Sequence, residues 1–168
     1  MVYNFFMQIK STLTNRSGQV LYVIYNDLND ESELGNRKIN GVHAYCFYKD
    51  KLVLVYAGKK KYWSPPGGAV EIGESVQEAV IREVKEETNM KVVYQKIIGY
   101  QEVDEIKKTS VQTRSFCIVE PYGPFVSDPD GDITEIKLID PNDYKKYFDW
   151  GKIGDYLFNR AMEIMKKL

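Results

Sequence analysis

Histidine occurs once and cysteine twice among the 168 residues, too few to build a zinc site from thiolates or imidazoles. Cys46 and Cys117 sit inside the apolar runs "AYCFY" and "SFCIV" without metal spacing, so they read as buried small hydrophobes of a reducing compartment. His43, in a strand-like run with no Cys or His near it in sequence, reads as structural. No apolar run is long enough to span a bilayer, and the opening "MVYNFFMQIK" lacks the basic region and small-residue cleavage site of a secretory leader. Excess charge of either sign is also missing. The balance of 23 basic against 24 acidic residues excludes a generally basic nucleic-acid binder. A cytoplasmic protein without membrane segments is expected.

What is present suits one compact domain: 43% hydrophobic and 28% charged residues, with no repeat or low-complexity tract. Residues 2–9 and 19–25 ("QVLYVIY") read as strands around the turn-forming "NRSG", an amino-terminal hairpin followed by the polar loop 26–38. "GVHAYCFY" and "KLVLVYA" read as a strand pair joined by "KD", and "WSPPGG" as turn chemistry. Further strands are expected in "KVVYQKIIGYQEV", "VQTRSFCIVE" and, after the loop "GPFVSDPDGD", in "ITEIKLI". An apolar stripe at Ile153, Leu157, Ala161, Ile164 and Leu168 predicts a final helix packed on the sheet. The fold class is α/β, a mixed sheet with helices on its faces.

The segment "SVQEAVIREVKEETN" predicts a helix over about 75–88. Ser75 and Glu78 have the spacing of a capping box, Glu74 adds negative charge at the positive end, and Asn89 stands where a left-handed residue usually ends a helix. At about 100° per residue, Val76, Ala79 and Val80 lie within roughly 60° of Glu83, and so do Glu86 and Glu87. A solvated acidic face is the ordinary reading of "EVKEE". Here, however, the carboxylates share the face that begins as core, and Lys85 points away from it. Ionised and unpaired beside a core, they would repel one another until protons or cations relieved them. An all-oxygen donor set suits Mg²⁺ or Mn²⁺. Arg82, one turn from Glu78 and Glu86, is spaced to orient a carboxylate.

The stretch "GGAVEIGESVQEAVIREVKEETNM" resembles the signature of the Nudix hydrolase family, G-x5-E-x7-R-E-U-x-E-E-x-G-U with U a bulky aliphatic residue. Gly68, Glu74, Arg82, Glu83, Val84, Glu86, Glu87 and Met90 fall in register, and Asn89 replaces the late glycine. The resemblance implies an α/β/α sandwich over residues 41–168, with residues 1–40 an added hairpin and loop. It implies Mg²⁺- or Mn²⁺-dependent cleavage of a diphosphate linkage in a nucleotide-type small molecule. Matched position by position, Glu86 and Glu87 correspond to principal metal ligands, Glu83 to a ligand or water-activating base, the Gly67 carbonyl to a backbone ligand and Glu74 to a supporting acid. Some relatives use a further acid from a loop beyond this box, for which Glu135 is the first candidate and Glu120 the second.

Lys59, Lys60 and Lys61 are candidates to meet substrate phosphates, or form a solvated turn. Trp63, Tyr62 and Phe116 are candidates to stack on a base, or belong to the core. No proline lies between Lys91 and Glu120, unlike the proline-marked ADP-ribose hydrolases; Tyr94 and Tyr100 lie nearer the box than the tyrosine of dinucleoside polyphosphate hydrolases; and no coenzyme A motif lies upstream. A nucleoside triphosphate pyrophosphatase is therefore expected, with nucleotide-sugar or ADP-ribose hydrolysis as alternatives. A non-catalytic nucleotide sensor is the alternative of another class. Such sensors usually carry a DNA-binding domain, and the strands and helix expected after Met90 leave no room for one. The aromatic hairpin, with an exposed edge, suggests pairing across a homodimer axis or a simple extension of the chain's own sheet.

Overall fold

Alternating or continuous runs of β-branched and aromatic residues become strands here, and the segment capped by Ser75 becomes a helix. The computed structural model describes residues 7–168. The strands are β1 (Gln8–Thr14), β2 (Val20–Asp27), β3 (Gly41–Tyr48), β4 (Lys51–Ala57), β5 (Tyr62–Ser64), β6 (Gly67–Ala69), β7 (Met90–Glu105), β8 (Lys108–Pro121) and β9 (Ile133–Ile139). Helix α1 spans Val76–Thr88 and helix α2 spans Gly151–Lys167. The path through the sheet is β1-β2-β7-β8-β3-β4-β5, with β6 on β3 and β9 on β4. Of the described pairings only β3 with β8 is parallel, so Cys46 and Cys117 face each other in register as free, buried thiols.

Two layers of core flank the sheet. Val76, Ala79, Val80 and Val84 of α1 pack with Val42, Ala44, Val53 and Val119 on one side. Ile153, Leu157, Phe158 and Ala161 of α2 pack with Val23, Tyr25, Phe47, Leu54 and Phe116 on the other. The expected α/β/α layering is thus present. The predicted stripe of α2 stops short of its last member, for Leu168 is largely exposed.

The hairpin differs in detail from its sequence reading. Its described first strand is β1, "QIKSTLT", which runs on to Thr14; of the expected residues 2–9, residues 2–6 lie outside the described residues. The polar-looking "STLT" pairs through Leu13↔Leu21 and turns Ile9 and Leu13 toward the core. The hairpin extends the chain's own sheet, because β2 runs antiparallel along β7 from Tyr22↔Asp104 to Asp27↔Gly99. Asp27 then fastens the two ends of the chain together. It accepts from Tyr25 Oη and Tyr156 Oη, both at 2.9 Å, and forms an ion pair with Arg160 of α2. The polar loop contains a short 3-10 turn, Glu31–Leu34, and "WSPPGG" supplies the ends of the short strands β5 and β6.

Candidate active site

Helix α1 begins and ends as its sequence dictates. The Ser75 side chain accepts from Glu78 N, and the Glu78 carboxylate accepts from Ser75 N at 2.8 Å. Asn89, at φ 54° and ψ 39°, closes the helix in the left-handed conformation, and its Nδ2 donates to Pro124 O at 2.9 Å. Those two ends fix the rotation of the helix, which turns Glu83 and Glu87 toward β6. Glu87 is 9% exposed, and its Oε2 accepts from Gly67 N at 2.9 Å. Gly68 lies so close to the Glu83 carboxylate that a Cβ there would collide with it.

Arg82 ties the acidic groups together. Its Nε and Nη2 donate to the two oxygens of Glu74 at 2.8 and 3.0 Å. Nη1 donates to Glu83 Oε1 at 2.8 Å and Glu86 Oε2 at 3.3 Å, and Nη2 also donates to Ala69 O at 2.9 Å. The spacing argument anticipated the Glu86 contact, whereas Glu78 is occupied by the helix cap. Glu74 in turn accepts from Glu71 N at 3.0 Å. One guanidinium thus joins β6, the following turn and two turns of α1. Arg82 holds the Glu74 carboxyl below its usual pKa, and the carboxylates hold the guanidinium protonated.

The other carboxyls shift the opposite way. Burial raises Glu83, against the pull of Arg82 and with help from Glu86 and Asp130. Burial raises Glu87 to about 8; the Gly67 N–H works against this, while Glu83, Asp128 and Glu86 add to it. A buried carboxyl surrounded by others is a place where a cation gains more than it does in water. The set is all oxygen, which fits a hard divalent ion such as Mg²⁺ or Mn²⁺. Among the described residues no three acidic, His or Cys side chains already converge as a ligand group; Glu83 and Glu86 are held by Arg82 instead.

A cleft of about 280 Å³ opens over Glu83 and Glu87 and is also lined by Gly67, Lys60, Asp128 and Asp130. The sequence reading missed the aspartates of "SDPDGD". Asp128 is buried and accepts from the backbone N–H groups of Asp130, Asp132 and Ile133, so it shapes the loop that carries Asp130 and Asp132 to the cleft. The Asp-x-Asp-x-Asp spacing before β9 was the available signal.

Several candidates lie elsewhere. Glu86 faces a neighbouring groove with Lys85 and Val126. Glu135 is exposed, opposite Tyr56 on β4, and Glu120 is exposed, opposite Lys91, so neither lines the cleft. Trp63 is packed between Tyr56 and Tyr147, with Lys137 over its ring, and Phe116 stacks on Phe47 in the core. Of the three lysines only Lys60 lines the cleft; Lys59 lies 3.9 Å from Asp132, and Lys61 makes the left-handed turn before β5.

His43 and Tyr62 do reach the cleft. Together with Ser64 they also line a second cavity of about 580 Å³, bounded by β1, Arg114 and Trp150. His43 is buried, and burial pushes its imidazole down to about 3, with Arg114 adding to the effect, so it is neutral at physiological pH.

The model of the NUDIX domain family matches residues 37–159. An ADP-ribose pyrophosphatase of Methanocaldococcus jannaschii is 35% identical over 116 residues, covering 65% of this chain and 68% of the relative. An uncharacterized Nudix hydrolase of Bacillus subtilis, YvcI, is 40% identical over 50 residues, which is 30% of this chain and only 32% of that relative's length. Among solved structures, a Bacillus subtilis pyrophosphohydrolase superposes with a TM-score of 0.60 at 22% identity, over 77% of each chain, a likeness of fold.

Proposed function

This chain belongs to the NUDIX domain family, and from that premise we propose that it hydrolyses a diphosphate linkage in a nucleoside diphosphate derivative, with Mg²⁺ or Mn²⁺. The observation that carries the proposal is the pair of carboxyls, buried Glu87 and half-buried Glu83, held against Gly67 and Gly68 at one cleft. In this reading residues 41–168 are the catalytic domain and residues 1–40 an addition to it. Intact carboxylates at all the signature positions favour an enzyme over a nucleotide sensor. No described helix is long and apolar enough to cross a membrane, and the two buried free thiols agree with a cytoplasmic location.

Glu83, Glu87 and the Gly67 carbonyl would hold the metal, with Glu86 joining them from the neighbouring groove. When bound, a divalent cation supplies neutralisation of the diphosphate charge and a lowered pKa for a coordinated water. The chain's own residues do the rest. Arg82 fixes Glu83 and Glu86 in orientation, and Glu74 fixes Arg82. Glu83, desolvated and hydrogen-bonded through one oxygen, has its other oxygen available to take a proton from the attacking water. Lys60 meets phosphate charge at the cleft mouth.

Nucleoside triphosphates are the first substrate class in this proposal, from the missing subgroup markers between Lys91 and Glu120. ADP-ribose is the second reading, favoured by the name of the Methanocaldococcus relative at 35% identity. A panel of nucleoside triphosphates, nucleotide sugars and ADP-ribose, assayed with Mg²⁺ by product chromatography, tests both. Release of pyrophosphate and a monophosphate supports the first, and AMP with ribose phosphate the second. No hydrolysis across the panel with either metal refutes the activity.

A further inference from the structure

The cavity beyond His43 contains a buried cation, Arg114, with no ion-pair partner among the described residues, although Asp149 also lines the cavity. Arg114 of β8 is 3% exposed and lies in register with His43 of β3 and Gly99 of β7. Its Nη1 donates to the carbonyl of Thr113 at 3.0 Å and its Nη2 to Gln112 Oε1 at 3.2 Å. Its Nε is buried with no hydrogen-bond partner, and so is Nδ1 of His43. The guanidinium lies 5.3 Å from the ring centre of Trp150. Burial lowers its pKa to about 10, opposed by the phenols of Tyr45 and Tyr25. A desolvated guanidinium with an unmade N–H is costly for a fold to keep. It is explained where a ligand brings the acceptor.

The cavity adjoins the carboxylate cleft through His43, Tyr62 and Ser64. A diphosphate over Glu83 and Glu87 therefore lies next to this cavity. At about 580 Å³ the cavity has the size of a small-molecule site. One wall is Ser11, Leu13 and Arg16 of the hairpin, which precedes the family match beginning at residue 37. Arg16 lies over the ring of Tyr62 at 5.4 Å.

We propose that this cavity receives the part of the substrate beyond the cleaved diphosphate, and that Arg114 is a specificity-determining residue selecting a distal group whose facing edge offers hydrogen-bond acceptors. Two sources share that chemistry: the carbonyl and ring-nitrogen edge of a guanine, and a second phosphate. Adenine instead places an amino donor where guanine has its carbonyl, so it would set donor against donor at the arginine. The hairpin closes the cavity and so takes part in the choice. This inference rests on the diphosphate-hydrolase reading for its placement of the phosphates.

The test is a binding titration by tryptophan fluorescence, with Trp150 at the cavity wall, of the full chain in EDTA against GMP, AMP and an adenosine bisphosphate. GMP or the bisphosphate binds about 10- to 100-fold tighter than AMP, and whichever is preferred identifies the source. Arg114→Gln removes that preference. Ser11→Phe, on the outermost strand, narrows the cavity without touching Arg114 and weakens the preferred ligand about tenfold. AMP binding as tightly as both others overturns the proposal, as does a preference that survives Arg114→Gln or an affinity unchanged by Ser11→Phe. Because the titration needs no turnover, absence of hydrolysis across the nucleotide panel strikes the proposed activity separately.

Discussion

Replacing Glu87 with glutamine should make the metal-free protein more stable at alkaline pH, although it removes a residue assigned to catalysis. Burial raises the Glu87 carboxyl from 4.5 to about 8. The folded pKa lies above the unfolded one, so the unfolded chain releases its proton first. Stability contributed by the protonated form is complete below about 4.5, falls as pH rises through that value, and levels off above about 8. At about 1.4 kcal/mol per pH unit, the whole span corresponds to roughly 5 kcal/mol. Water entering the cleft and relaxation of the side chain reduce this to about 2–4 kcal/mol. Glutamine keeps the acceptor for Gly67 N, which Glu87 now satisfies at 2.9 Å, but carries no charge. In EDTA at pH 8.5 the variant should therefore melt about 5–15 °C above the parent, taking roughly 2–4 °C per kcal/mol for a domain of this size. At pH 5, where Glu87 is protonated, the two should nearly coincide. Millimolar Mg²⁺ should then raise the parent's melting temperature more than the variant's, which has lost one of its charged ligands. Calorimetry across pH 5–9 decides the matter: equal melting temperatures at pH 8.5, or a less stable variant, would falsify the assignment of Glu87 as a desolvated carboxyl awaiting a cation.

Turnover should vanish without Mg²⁺ or Mn²⁺ and fall at least about 100-fold in Glu86→Gln; full activity in that variant, with the helix intact by circular dichroism, refutes its place among the ligands. Asn89→Gly keeps the left-handed helix end but loses the bond to Pro124, so urea titration should register a loss of at most about 1 kcal/mol. Asn89→Val should cost about 1–2 kcal/mol more, because a β-branched residue resists φ 54°, and equal stability of the two variants is the contrary result. The outer edge of β1 carries no partner strand among the described residues, and pairing of that edge across a two-fold axis should make the full chain a dimer by light scattering. A monomer at all concentrations argues against it.

The parts legible in the sequence were those with local causes. Helix α1 was readable to the residue because Ser75, Glu78 and Asn89 act within one turn of its ends, and its rotation followed from the apolar positions of the same segment. The Arg82 contact to Glu86 followed from helical spacing, while its grip on Glu74 depends on the turn before the helix folding back. Parallel pairing of β3 with β8 has no local signature. Neither has the arrival of Asp128 and Asp130 at the cleft, which depends on β9 docking beside β4 with a register shift between Tyr56 and Ala57. Trp63 illustrates the converse. Its neighbourhood in sequence suggested a stacking surface, but pairing of β5 with β4 sets it opposite Tyr56, with Tyr147 against its ring. The first strand runs further than expected, to Thr14, because "STLT", though less apolar than "NFF", alternates along the sheet.

The fastening of Asp27 to Tyr156 and Arg160 has a consequence for synthesis. On the ribosome the hairpin emerges before its partners: β2 has no described neighbour beyond β1 until β7 is made, and the described ion pair of Asp27 with Arg160 waits for helix α2. The earliest strands must therefore wait, with Val23 and Tyr25 uncovered, through most of translation. Completion of the fold is a late and concerted event: the newborn chain closes from its last helix back onto its first strands. A nascent-chain stalling series should show protease resistance of the hairpin only once Arg160 has cleared the exit tunnel.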